Sequence, residues 1–206
     1  GEEAIVKLAD MIQNAGKDFG TIDNIGYWEG GKAVFTKKNY DYGDIDDRPF
    51  PDYEPFGIQD MLDNYSMATR LLYRYANPYP RPFIILTARS CPFNCTFCVH
   101  QRRGEYRARS IESIIQEIKE TYEKYKYNIL VILDELFAVN KQRMREFCFA
   151  VLDGKEKYGW DFEWMFQTHA SARFDLETLK LAKKAGCFFF SYGIESASPQ
   201  VLESMN

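Results

Sequence analysis

Residues 83–100 read Phe83-Ile84-Ile85-Leu86-Thr87-Ala88-Arg89-Ser90-Cys91-Pro92-Phe93-Asn94-Cys95-Thr96-Phe97-Cys98-Val99-His100. The run 83–87 is a short apolar stretch of buried-strand type, and three cysteines crowd into the residues just after it. The segments downstream of the cysteines decide the fold. A helix is expected from an N-cap at Ser110, with Ile111, Ile114, Ile115, Ile118 and Tyr122 at helical spacing. Residues 128–133 form a second apolar run, and a helix over about 140–157 turns Met144, Phe147, Val151 and Leu152 inward. A third strand is expected over 161–168 and a third helix over 176–184, closed by Gly186 just past its end. A fourth strand covers 187–194, and Ser198-Pro199 opens a fourth helix with proline at its first position. Continuous apolar strands alternating with amphipathic helices mean a parallel sheet covered by helices. Right-handed crossovers curl such a sheet towards a barrel. The fold class is therefore α/β, a partial (β/α) barrel of about four βα units. The last helix is cut short at Asn206, as in a fragment of a longer protein.

Ahead of the barrel the rhythm differs. Residues 2–14 place Ile5, Leu8, Met11 and Ile12 on one helical face, and that helix ends before Gly16. The runs 25–29 and 32–36 flank Gly30-Gly31 and read as a β-hairpin. Residues 40–57 are rich in Asp and Pro and read as an extended connector, since Pro49 and Pro51 forbid a helix there. Residues 56–76 hold one or two short helices, and Pro78, Pro80 and Pro82 punctuate the approach to the first barrel strand. The expected division is a helix-plus-hairpin extension over 1–80 and the barrel part over 81–206.

Composition removes several function classes. Of the 206 residues, 26 are basic and 30 acidic, for a net charge of -4, which argues against a nucleic-acid partner. The start Gly1-Glu2-Glu3-Ala4 has no apolar core of a secretory signal, and no apolar stretch approaches the ~20 residues of a membrane span. Five cysteines, an odd number, argue against a disulfide framework and for a reducing, cytoplasmic location. Cys148 and Cys187 sit alone in apolar surroundings and read as small buried hydrophobes.

The cysteine segment directly follows the first strand, so it lies at the strands' C-terminal face, where such folds keep their active sites. Three thiolates at Cys-x3-Cys-x2-Cys spacing, Cys91, Cys95 and Cys98, can wrap one face of a cubane iron–sulfur cluster. Four irons need four ligands, so one iron is left open to a substrate or cofactor. The alternatives are a zinc site that adds His100, and a disulfide with one free thiol. Zinc usually draws its ligand pairs from separated positions, and the reducing compartment disfavours the disulfide.

With aromatic Phe97 before its last cysteine, this motif resembles the signature of radical S-adenosylmethionine (radical SAM) enzymes. The resemblance extends to Arg107-Ala108-Arg109-Ser110, Asp134-Glu135-Leu136-Phe137, Arg173-Phe174-Asp175, Ala185-Gly186-Cys187 and Gly193-Ile194-Glu195-Ser196. Together they resemble the subgroup with an N-terminal cobalamin-binding domain, and the hairpin and the connector Asp46-Asp47-Arg48-Pro49-Phe50-Pro51 resemble its link to the barrel. The resemblance implies a [4Fe-4S] cluster on Cys91, Cys95 and Cys98 that cleaves S-adenosylmethionine reductively to a 5′-deoxyadenosyl radical. It implies Phe97 and Val99 beside the adenine, Asp134 and Glu135 at the cofactor's amino group, and Glu195 at the ribose hydroxyls. Gln167 and His169 end the third strand, and either faces the pocket; Arg173 binds an anion or is simply solvated. Ser90 stands where the family commonly has glycine.

The implied reaction is cobalamin-dependent methylation of an unactivated carbon. Radical cyclisation or rearrangement, methylthiolation, or a non-catalytic metal-binding module are the alternatives. Expected partners are a small-molecule or peptide substrate and a reductant such as flavodoxin or ferredoxin. The chain has no Asp-x-His-x-x-Gly cobalamin signature, so any cobalamin is expected on a domain outside it.

Overall fold

The computed structural model describes residues 1–40, 43–64, 73, 77–98 and 105–205. These fall into two compact units, Gly1–Asp44 and Ile45–Asn206.

In the first unit, α1 (Glu2–Gln13) precedes a hairpin of β1 (Gly26–Glu29) and β2 (Lys32–Phe35). Glu29 pairs with Lys32, which leaves a two-residue turn of Gly30 and Gly31. Both glycines have positive φ, +55° and +76°, as the favoured two-residue hairpin turn demands. Helix α1 forms as its periodicity predicts, yet none of its residues is buried. A unit this small cannot close a core around its apolar stripe.

The second unit contains a parallel sheet of β3 (Pro82–Ile85), β6 (Ile129–Ile132), β7 (Glu163–His169) and β8 (Cys187–Gly193), in that spatial order. Helices α3 (Ile111–Tyr125), α4 (Lys141–Tyr158) and α5 (Leu176–Lys184) make the crossovers, and α6 (Pro199–Ser204) follows the last strand. The caps are those legible in the sequence. Ser110 Oγ accepts from Ser113 N at 3.1 Å, and Gly186 takes φ +100° just past α5. Strands alternate their side chains, so Phe83, Ile85, Leu130, Ile132, Trp164 and Phe166 point at the helices and form the core. Trp164 is its centre. Phe147 stands edge-on to it at 5.0 Å, and its indole N–H donates to Ala185 O at 3.2 Å.

The opposite phase differs from expectation. Ile84 is 48% exposed and Leu133 58%, with Leu86 and Phe189 similar. Residues 83–87 are therefore not a strand buried on both sides: β3 stops at Ile85, and Ile84 and Leu86 are exposed. None of the described helices is long and apolar enough to cross a membrane.

The sheet's unit begins at Ile45, ahead of the change of rhythm near residue 80. The connector carries anchors that hold it there, followed by the short helix α2 (Ile58–Asp63) with Leu62 buried. Tyr53 stands edge-on to Phe83 at 4.9 Å and donates to Glu117 Oε1 at 2.7 Å. Arg109 lies 5.1 Å over the Phe50 ring and pairs with Glu117, both side chains buried. Asp46 accepts from Ser110 N at 2.9 Å. Arg109 also donates to Leu86 O at 3.1 Å, which ties this ion pair to the end of β3.

Removing one member of a buried pair strands the other charge. Glu117→Ala is expected to lower the unfolding free energy by about 3 kcal/mol, measured by chemical denaturation.

Candidate active site

Past Ile85 the chain leaves the sheet through a narrow neck. Strand β4 (Ala88–Arg89) pairs antiparallel with β5 (Arg107–Ala108), Ala88 opposite Ala108 and Arg89 opposite Arg107. The described part of the cysteine segment, 90–98, follows directly on that neck. Val99, expected beside the adenine, and His100, the fourth ligand of the zinc alternative, lie outside the described residues.

Two charged side chains fasten the neck. Asp134, from the end of β6, accepts from Thr87 N at 2.6 Å and Ala88 N at 3.0 Å through Oδ1, and from the Thr87 hydroxyl through Oδ2. Arg143, on α4, donates to Arg109 O at 2.8 Å, Phe137 O at 3.2 Å and Thr87 O at 3.3 Å. Arg109 N adds a bond to Thr87 O at 2.9 Å. Buried backbone groups must be paired, and here side chains supply what the sheet ladder no longer can. Burial pushes the Asp134 carboxyl above its ordinary value, against the Thr87 and Ala88 donors and the nearby Arg143. Asp134 is 3% exposed and is not among the residues that line the cavity beyond the neck.

That cavity, of about 520 Å³, lies at the C-terminal ends of the strands. Cys91, Cys95, Phe97, Cys98, Glu135 and Glu195 all line it, as do Gln167 and His169. Arg173 is exposed and does not. Sequence reading missed Tyr192, Leu202 and Met205, which also line it. Tyr192 sits one residue before the Gly193-Ile194-Glu195 turn, a proximity that would have found it; Leu202 and Met205, on and just past α6, carry no such signal.

The cysteine segment is held from several sides. Phe93 stacks on His169, ring centroids 3.9 Å apart, and His169 Nδ1 meets Ser171 Oγ at 2.8 Å. Thr96 donates through its N–H to Met205 O at 3.1 Å and through its hydroxyl to Ser204 O at 3.0 Å. Cys98 N closes a turn on Cys95 O at 3.0 Å. Burial pushes the Cys91 thiol up; a bond from Phe93 N–H opposes this, while Glu135, Cys95 and Cys98 add to it. On the far wall, Glu195 has φ +59°, inside a tight turn where Ile194 N bonds Tyr192 O and Ser196 N bonds Ile194 O. Its Oε1 folds back to within 3.0 Å of where a side chain on Gly193 would begin. A larger residue at 193 would push on that carboxylate.

None of the five cysteines is in a disulfide. Burial pushes the Cys148 and Cys187 thiols up to about 12, in keeping with small hydrophobes. Among the described residues no three His, Cys, Asp or Glu side chains converge to hold a single metal ion. A cubane takes one thiolate per iron, so its ligands need not converge on a point. Three unbridged thiols on one wall of one cavity are an all-sulfur donor set that fits such a cluster.

A family model for the radical SAM superfamily matches residues 85–206. An uncharacterized methyltransferase of Pyrococcus horikoshii is 28% identical over 205 residues, 98% of this chain and 40% of that protein. The anaerobic magnesium-protoporphyrin IX monomethyl ester cyclase of Cereibacter sphaeroides is 25% identical over 224 residues, 100% of this chain and 32% of that protein. The cobalamin-dependent S-adenosylmethionine radical enzyme OxsB, solved with aqua-cobalamin and S-adenosylmethionine bound, superposes with a TM-score of 0.70 at 18% identity. That match covers 100% of this chain and 28% of OxsB. The chain thus spans less than half the length of these proteins.

Ser90 precedes the first cysteine with φ +63°, a left-handed conformation that glycine adopts freely. Ser90→Gly is expected to change stability by no more than about 0.5 kcal/mol, the relief of strain offsetting the added chain entropy. Ser90→Val, whose branched side chain suits that conformation least, is expected to lose about 2 kcal/mol, both read from denaturant unfolding.

Proposed function

This chain belongs to the radical SAM superfamily, and we propose that its cavity is the cofactor site of an enzyme that cleaves S-adenosylmethionine reductively on a three-cysteine [4Fe-4S] cluster. The observation that carries this reading is the common placement of Cys91, Cys95, Cys98, Glu135 and Glu195 around one cavity at the strand ends. When bound, the cluster supplies one electron to the sulfonium of S-adenosylmethionine, and the cofactors rather than the protein carry the radical chemistry.

The protein's own work is to hold and orient. Cys91, Cys95 and Cys98 each give up the proton at Sγ to bind one iron, and three ligands for four irons leave one metal position to a ligand in the cavity. The Phe93 N–H on Cys91 helps stabilise negative charge on that sulfur. Glu135 suits an ammonium group, and the Glu195 carboxylate can accept from two vicinal hydroxyls. Phe97 offers a flat apolar face to an adenine, a role the sequence extends to Val99. Leu136 and Ile194 add apolar surface to the same cavity. Asp134 has no part in these contacts.

Methylation of an unactivated carbon with the help of cobalamin is the reaction the reading favours, supported by the methyltransferase relative and by the likeness in fold to OxsB. No residue of this chain is assigned to cobalamin. The cyclase relative supports a second reading, radical cyclisation on the same cluster. Both readings take an electron from a flavodoxin or ferredoxin and act on a small molecule or peptide.

The test is anaerobic reconstitution of the intact protein with iron and sulfide, with reduction and then addition of S-adenosylmethionine. 5′-Deoxyadenosine is expected by chromatography, and its formation should fall to background when Cys91, Cys95 and Cys98 are all changed to Ala. Equal product from the triple variant would overturn the assignment.

A further inference from the structure

The neck of the cysteine loop is built more heavily than closing a loop requires. Its ladder is only two residues long on each strand, Ala88–Arg89 against Arg107–Ala108. At that short ladder the buried Asp134 collects three donors from two consecutive residues, and Arg143 donates to carbonyls of Thr87, Arg109 and Phe137. Thr87 is the shared member: its N–H and hydroxyl go to Asp134, and its carbonyl takes both Arg109 N and Arg143. The Thr87 side chain is wholly buried and does not line the cavity, and Cys91 is four residues on along the chain.

We infer that Thr87 and Asp134 are positioning residues that set the cysteine loop from behind, so that retention of a metal cluster depends on a hydroxyl–carboxylate contact that never meets it. This rests on the reading of Cys91, Cys95 and Cys98 as cluster ligands. The chain from Thr87 to Cys91 is a rigid lever: Thr87 and Ala88 are bonded to Asp134, Arg89 is in the ladder, and Ser90 is a fixed left-handed residue. A small rotation at Thr87 is therefore carried to Cys91 rather than absorbed between them. On the far side, Phe93 is held against His169 and Thr96 against Ser204 and Met205, so the loop cannot follow the rotation as a body. Partners that orient metal ligands without touching the metal commonly matter by about 10–100-fold in metal affinity.

Two substitutions of nearly equal size separate positioning from bulk stability. Thr87→Val keeps the shape and loses the hydroxyl; Thr87→Ser keeps the hydroxyl and loses a methyl. In the reconstituted intact protein, Thr87→Val is expected to lose iron to a chelator about tenfold faster than wild type, read from the decay of cluster absorbance, with Thr87→Ser close to wild type. In the metal-free protein, Cys91 is expected to alkylate with iodoacetamide faster in Thr87→Val than in Thr87→Ser at equal thermal midpoint, read by peptide mass spectrometry. Equal chelation and equal alkylation in the two variants overturn the inference. Should the wild-type protein take up no cluster, the proposed function fails, and the alkylation comparison alone decides whether Thr87 sets the loop.

Discussion

A polypeptide that leaves a sheet must find new partners for backbone groups still shut off from water. An unmet buried donor costs about 1–3 kcal/mol, and where β3 ends Thr87 and Ala88 present two in succession. Asp134 from the adjoining strand answers both, and Arg143 from the next helix answers the carbonyls around them. Two successive βα segments, β3–α3 and β6–α4, thereby meet at one point. The carboxylate could not stay buried without these donors and Arg143 beside it; desolvation already pushes it towards its neutral form. Below this junction the aromatic cluster around Trp164, Phe137 and Phe147 makes a floor of interlocked edges and faces. The cavity inherits its position from that floor and its mouth from the junction.

Much of this was legible in the sequence because the signals were periodic or positional. Alternation of apolar runs with helical stripes identifies the parallel sheet, and Ser110 and Gly186 punctuate it. The residues at or just past a strand's C-terminal end fall on the cavity, which is why Glu135, Gln167, His169 and Glu195 could be picked out. Asp134 and Glu135 are neighbouring carboxylates, alike in a string of letters, yet Asp134 is taken up by Thr87 and Ala88 while Glu135 lines the cavity. A short apolar run such as 83–87 carries no mark of whether one face or both are covered. The two-residue strands β4 and β5 are too brief for any period, and the Asp- and Pro-rich connector hid its anchors, Phe50 and Tyr53, among solvent-loving neighbours.

Inside the cavity the charge is one-sided. Glu135 and Glu195 line it, and no Lys or Arg does among the described residues. Two fixed carboxylates in a partly enclosed space draw positively charged groups and repel anions. The Glu195 wall carries a backbone cost: a left-handed non-glycine residue sits there within the Tyr192–Ser196 turn. Strain of this sort gathers where a side chain's direction matters more than local stability.

The bond from the Thr96 hydroxyl to Ser204 O joins positions 108 residues apart. During synthesis the thiols emerge from the ribosome long before the segment that steadies them, and at about 5–20 residues per second the wait is several seconds or longer. Throughout that interval the segment lacks this anchor, and only its contacts to earlier residues, such as Phe93 on His169, can form. The Thr96 anchor is therefore complete only after residue 205 has been made, which makes the final setting of the cysteine segment a late event in the growth of the chain.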